Sequence, residues 1–337
     1  MNPTDFAQHI SFFLSRYLPS QKGVSKNTIA SYRDTFILFL RFAEDHKGIN
    51  RNKLTLKMMT REFVIEFLDW LQKNRHNSNS TRNARLAAIH SYTAYLQNED
   101  IYNMYELQKI MSIRYKKHEY QSINYLSVEG IKLLLKQPDT TTEKGRRDLV
   151  LISLMYDTGA RVQEIIDLTP SDVNIQKHST IKIAGKGNKT RLIPMLDTQV
   201  KNLISYMKEN KMCDPENNRR PMFNNGRGDK LTRAGITYII KKYADMAKLE
   251  DSKLVPDKIT PHSLRHSKAM HLLQAGVPLI YIRDILGHVS VQTTEIYARI
   301  DTKHKFEIMQ KAYTEVVSDG EEPKWQNDDI LTWLKRL

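Results

Sequence analysis

The sequence predicts a mainly α protein with a small β-sheet, an α+β fold in two domains. Three observations carry this. Apolar residues recur at helical spacing over residues 4–111, with almost no strand signal. One stretch, STIKIAGKGNKTRLIPM (179–195), alternates on both sides of a Gly-rich turn, which marks a β-hairpin. Between the two parts, SIRYKKHEYQSIN (112–124) loses the apolar period and is basic. The chain has 337 residues, 40% of them hydrophobic. That is room for two domains at roughly 150 residues each, with enough core to exclude disorder of the whole chain.

The elements follow in order. Ser25 caps a helix through about His46, with Ile29, Phe36, Phe39, Leu40 and Ala43 near one face and Gly48 as its stop. Thr60 with Phe63 opens a second amphipathic run that carries Val64, Phe67, Leu68 and Leu71. The polar HNSNS (76–80) breaks it. A third run, near Thr81 to Leu96, puts Leu86, Ile89, Tyr92 and Leu96 inside and Arg82 and Arg85 on another face, where they suit phosphates or a solvated helix face. A shorter run from about Tyr102 to Met111 completes a helical bundle over 1–111, and 112–124 reads as a linker. The second domain then spans 125–315. Ser127 caps its first helix. Residues 146–168 form a strongly apolar helix pattern interrupted at Thr158-Gly159. The hairpin follows, and helices resume after Asp197. Residues 211–230 read as a polar loop, with Phe223 as its anchor.

Charge is lopsided. The formal net charge is +14; residues 1–118 and 119–300 each carry +8, and residues 301–337 carry −2. Two basic bodies point to two surfaces on one polyanion, with nucleic acid the first candidate beside a merely well-solvated basic protein. The single cysteine, Cys213, excludes an intramolecular disulfide and fits a reducing, cytoplasmic compartment. No apolar run approaches the ~20 residues of a membrane span, and the N-terminus MNPTDFAQHI lacks the basic start of a secretory signal.

Chemistry concentrates near the end of the second domain. Thr260-Pro261 opens a helix, with a hydroxyl at the cap and proline at the first position. His262 and Arg265 share a face near its positive N-terminus, an arrangement suited to a phosphate. Gly276 ends that helix, Pro278 starts the next, and Gly287 ends it, which puts His288 just beyond. A short helix carries Tyr297. Imidazole and guanidinium groups thus precede one tyrosine. Such groups stabilise charge on the non-bridging oxygens of a phosphodiester under attack. Tyr297 therefore reads either as a packed aromatic or as a nucleophile served by that cluster. Other tyrosines, such as Tyr281, fit helix-core positions. His262, His266 and His271 make a poor zinc set, since no HExxH pattern occurs and the lone cysteine is distant.

These stretches resemble the tyrosine recombinase, or phage-type integrase, family. Four motifs stand in family order: DTGARVQEIIDL (157–168), GKGNKTRLIPM (185–195), PHSLRHSKAMHLLQAG (261–276) and LGHVSVQTTEIYARI (286–300). The resemblance implies a mixed α/β catalytic domain and a helical N-terminal core-site-binding domain. It also implies roles. Arg161 and Arg265 clamp the scissile phosphate. Lys186 is the acid for the leaving 5′-oxygen, with Lys189 the competing lysine. His262 assists proton transfer from the tyrosine, and His288 donates to the phosphate. Tyr297 attacks and becomes a 3′-phosphotyrosine. Glu164 reads as orienting a basic neighbour, and His266 and His271 as packing or supporting residues. No metal, cofactor or nucleotide is implied. The expected partner is a double-stranded DNA core site, held by a homotetramer on two duplexes, without a membrane. The function expected is site-specific DNA recombination, of the Xer-like or mobile-element transposase type. Two alternatives stay open: a nicking-closing enzyme like type IB topoisomerases, and a silent DNA-binding accessory protein. Residues 316–337 read as a tail that docks either on its own domain or on a neighbouring protomer.

Overall fold

The computed structural model describes residues 3–99, 103–117, 123–176, 178–185, 189–300 and 335. The chain divides into two compact units, Met1–Gln121 and Ser122–Leu337.

The first unit is helical. Helix α1 (Asp5–Phe12) is capped by Thr4 and runs on into a wider π-helical stretch, Phe13–Gln21, which contains Pro19. The sequence reading placed no separate helix here. Helix α2 (Lys26–Lys47) begins where the Ser25 hydroxyl accepts from Thr28 N and ends at Gly48, φ +63°. Helices α3 (Arg61–Lys73), α4 (Asn79–Glu99) and α5 (Met104–Met111) complete the bundle. Its core mixes aromatic with aliphatic side chains. Phe6, Phe13, Phe36, Phe39, Phe67 and Tyr92 are buried, and edge-to-face pairs such as Phe13–Tyr92 (5.1 Å) and Phe39–Phe67 (5.1 Å) lock the helices together.

Two expectations for this unit are corrected. Arg82 does not lie on an open face: it is buried, and its Nη1 donates to Asn83 Oδ1. Arg85 donates to Ser31 O and Thr35 Oγ1, so it ties α4 to α2. The 112–124 segment also begins as docked chain. Ile113 is buried in the bundle core, while Asn83 and Asn79 donate to the carbonyls of Lys116 and Lys117. Two asparagine amides on α4 satisfy backbone that an open linker leaves to water.

The second unit opens with α6 (Val128–Lys136), capped by Ser127, and α7 (Glu143–Thr158), capped by Thr142. The apolar pattern breaks at Thr158-Gly159 and resumes as the short α8 (Val162–Ile166). Strands β1 (Val173–Asn174), β2 (Thr180–Ala184) and β3 (Thr190–Pro194) form an antiparallel sheet in sequence order. The hairpin register pairs Ile181 with Ile193 and Ile183 with Arg191. Period-two alternation sends Ile181, Ile183 and Ile193 into the core and leaves Leu192 outside. Helices α9 (Asp197–Glu209), α10 (Arg233–Glu250), α11 (Pro261–Gln274), α12 (Leu279–Leu286) and α13 (Gln292–Ile300) follow. Phe223 anchors the 211–230 loop, buried and stacked on Tyr206. At the start of α11 Ser263 Oγ accepts from Thr260 N, and the two hydroxyls lie 3.3 Å apart. Among the described residues no helix is long and apolar enough to cross a membrane. The 316–337 tail, apart from Lys335, lies outside the described residues.

Candidate active site

Two glycine turns build the site. Gly159 ends α7 at φ +57°, and Gly287 ends α12 at φ +64°. Both angles suit glycine, because a Cβ strains left-handed backbone. Space matters as well. A Cβ on Gly159 would meet Leu286 Cδ2 at 2.6 Å, and one on Gly287 would meet Arg191 Nη1 at 2.8 Å. The ends of α7 and α12 therefore approach each other closely.

Arg265, on α11, bridges those ends. It is buried, and donates to Gly159 O and to Leu286 O, each at 2.6 Å. Burial first, then the neighbouring Arg161 cation, pulls its pKa down to about 10. It remains a cation at neutral pH, held by backbone carbonyls rather than carboxylates.

Arg161 stands just before α8. Its backbone N–H and its Nη1 donate to the two oxygens of Glu164, at 2.8 and 2.9 Å, and its Nη2 donates to Gly287 O at 3.2 Å. Glu164 is buried and accepts a second fork, from Arg191 Nη1 and Nη2 at 3.1 and 2.7 Å. Burial pushes this carboxyl's pKa up, but the hydrogen bonds from Arg191 and Arg161 outweigh it and hold the group below the usual range. Arg191 Nε also donates to Ile285 O at 2.8 Å. One carboxylate and one arginine thus strap strand β3 to α8 and to the end of α12.

Tyr297 is buried in a small cluster with Ala269, Met270, Ile282 and Leu286. Its hydroxyl lies 2.9 Å from His266 Nδ1. The His288 ring lies nearly parallel to the Tyr297 ring at 6.4 Å, and its Nδ1 pairs with Thr294 Oγ1 at 2.9 Å. The His262 ring is 6.3 Å from that of His266. Burial first, then nearby cations, lowers His266 and His288 to about 4 and lowers His262 as well. Burial raises the Tyr297 phenol, against the opposing pull of Arg265 and Arg161. At neutral pH the site therefore holds neutral imidazoles, a protonated phenol and charged guanidinium groups.

Arg161, Arg265, Glu164, His262, His266, His288 and Tyr297 come together as one contiguous cluster. Lys186 lies outside the described residues. Lys189 is exposed and lines a cleft of about 520 Å³ with Arg161, Arg191, Arg283 and His288. Tyr281 is corrected: it is 61% exposed on α12, not a core residue. Arg191 is the residue that the sequence reading passed over. Strand alternation could have found it, because it shares the inward face of Ile193. Among the described residues no group of His, Cys, Asp or Glu is arranged to hold a metal ion.

Comparison with known proteins gives the class: a DNA recombinase of the integrase type. The Phage integrase family matches residues 124–304, and the Phage integrase N-terminal SAM-like domain matches residues 13–100. The chain belongs to the phage integrase family. It is 33% identical to the putative integrase/recombinase y4rC of Sinorhizobium fredii, over 97% of this chain and 96% of that one. It is 32% identical to tyrosine recombinase XerC of Herpetosiphon aurantiacus, over 94% and 98%. The fold matches the XerH site-specific recombinase bound to difH substrate in a pre-cleavage complex, with TM-score 0.66 and 24% identity over 88% of this chain and 82% of that one. The function is that of a site-specific tyrosine recombinase; these relatives favour neither the nicking-closing nor the accessory alternative.

Proposed function

We propose that the second unit cuts and rejoins one strand of duplex DNA at a specific site through a 3′-phosphotyrosine at Tyr297. One observation carries this reading. The Tyr297 hydroxyl, two guanidinium groups and His288 converge around the paired turns at Gly159 and Gly287.

The chemistry follows from the groups. Arg161 and Arg265 hold the non-bridging oxygens of the scissile phosphate and neutralise the charge that grows during attack. His288 donates a hydrogen bond to the same phosphate. The Tyr297 oxygen bonds to phosphorus as the bond from phosphorus to the 5′-oxygen breaks. Lys186 gives that oxygen its proton. His262 takes part in removing the phenolic proton. Glu164 orients Arg161. The covalent bond conserves the phosphodiester energy, so a 5′-hydroxyl from another strand reverses the step without a nucleotide.

The substrate is duplex DNA, a reading supported by the DNA in complex with the Tn1549 transposon integrase of like fold. Most affinity comes from phosphates and falls with salt. The first unit serves as the helical core-site-binding domain. Each protomer transfers one strand, so a full exchange takes four protomers on two duplexes.

The test is Tyr297→Phe on a duplex nicked near its core site. The variant keeps duplex binding and forms no covalent adduct on a denaturing gel. Adduct at the wild-type level refutes the assignment.

A further inference from the structure

We infer that His266 is a catalytic residue of strand cleavage, the group that takes the phenolic proton of Tyr297. The inference rests on Tyr297 being the nucleophile and deepens that reading.

Three imidazoles surround the tyrosine, and their geometry separates them. His266 Nδ1 lies 2.9 Å from the hydroxyl, with the two ring centres 5.7 Å apart at 57°. The His288 ring lies nearly parallel to the phenol ring with its centre 6.4 Å away, and its Nδ1 is engaged by Thr294. His262, one helical turn before His266 on α11, is exposed, and its ring stands 6.3 Å from that of His266. A proton leaving the phenol meets His266 first, and His262 stands behind it. A base must lie within hydrogen-bond reach of the proton that it removes, and His266 meets that condition before any substrate is bound.

The surroundings suit the task. The hydroxyl sits on the buried side of the site, because Tyr297 is 3% exposed and packs on Met270 and Leu286. Water is a poor competitor there. Burial, then His262 and Arg265, keeps the His266 ring neutral, so its Nδ1 lone pair is free in the tautomer that carries hydrogen on Nε2. A phosphate docked on Arg161 and Arg265 brings negative charge beside the ring and offsets the Arg265 cation. The imidazole therefore becomes more basic as the nucleophile is needed.

The step balances. The O–H bond of Tyr297 breaks, and its proton goes to His266 Nδ1, giving an imidazolium. The phenolic oxygen bonds to phosphorus, and the bond from phosphorus to the 5′-oxygen breaks. The 5′-oxygen takes its proton from Lys186. In rejoining, the 5′-hydroxyl gives its proton back to the Lys186 amine and bonds to phosphorus, the bond from phosphorus to Tyr297 breaks, and the imidazolium returns its proton to the departing phenolate.

The test separates proton uptake from placement. In the full chain, His266→Gln keeps a side-chain oxygen that accepts from the phenol but cannot carry its proton away. His266→Ala leaves space for a small base. Both variants are expected to bind duplex DNA like the wild type, which reports folding. In single-turnover adduct formation on a nicked duplex, both are expected to be slower by roughly 100-fold. Free imidazole restores His266→Ala, with a pH dependence that follows the ionisation of the added imidazole, and leaves His266→Gln slow. Near-wild-type cleavage by His266→Gln overturns the inference and leaves His266 as a positioning residue. Failure of imidazole to speed DNA-bound His266→Ala at any pH also overturns it. Adduct formation by Tyr297→Phe refutes instead the nucleophile assignment beneath it.

Discussion

Arg191 offers a direct test of how the site is held. Its side chain is 11% exposed and that of Glu164 is 5% exposed. Arg191→Ala removes three hydrogen bonds at once: two to Glu164 and one to Ile285 O. Removing one partner of a buried ion pair costs about 3–5 kcal/mol. Glu164 keeps two bonds from Arg161, so the loss belongs at the lower end, about 3 kcal/mol. Arg191→Lys keeps the charge but offers one nitrogen where the structure uses three, and should cost about 1–2 kcal/mol. The same strap fixes the end of α12, whose carbonyls at Leu286 and Gly287 receive Arg265 and Arg161. A misplacement of about 1 Å there costs on the order of 10- to 100-fold in cleavage rate. Urea unfolding of the full chain measures the first effect, and single-turnover adduct formation measures the second. If Arg191→Lys matches the wild type in both, the forked geometry is irrelevant. If Arg191→Ala is destabilised yet cleaves at the wild-type rate, the strap folds the domain without setting the site.

Other consequences are as testable. Gly287→Ala places a Cβ against Arg191 in left-handed backbone; an expected loss of more than about 1–2 kcal/mol in urea unfolding, with slower cleavage, would be refuted by a neutral result. Stability should also fall as pH drops from about 6.5 toward 4, because His266 and His288 stay neutral to about 4 in the folded chain while ordinary histidines in the unfolded chain take up protons near 6.5. His288→Asn should flatten that part of the urea midpoint against pH. Glu164→Gln should not, because a depressed carboxyl contributes stability that is lost only below its unfolded value near 4.5.

Much of this was legible in the sequence, for identifiable reasons. The helix starts at Ser25, Thr60 and Ser127 follow from local capping, and the structure has those hydroxyls capping. The break at Thr158-Gly159 was readable because glycine punctuates an apolar helix pattern. Most of the differences concern burial or partners remote in sequence. Arg82 and Arg85 were placed on an open face, yet they tie into the bundle, and nothing in the α4 periodicity announces Ser31 and Thr35 across the interface. Tyr281 has helix-core spacing, but packing of α12 on α11, α13 and β3 leaves that side chain exposed. His266 reads as packing or supporting from the sequence, because its one telling contact is with a tyrosine 31 positions away.

The arrangement also says why a catalytic cluster can be stable before DNA arrives. Burying a guanidinium is costly unless its donors are satisfied. Arg265 is satisfied by two carbonyls at helix ends, where carbonyls lack partners within their own helix. Each of those helices ends in a glycine at positive φ, which turns the chain tightly enough to aim the carbonyl inward. The arginine thus caps two helices and keeps its charge, uncancelled by a carboxylate of its own. Arg161 differs: Glu164 shares its charge but is itself split between two arginines. Two arginines around one carboxylate, and a third held only by carbonyls, leave these side chains with a net positive charge among the described residues. Under the proposed function a phosphate would complete the site, and the geometry that satisfies the folded chain would hold it ready for that anion.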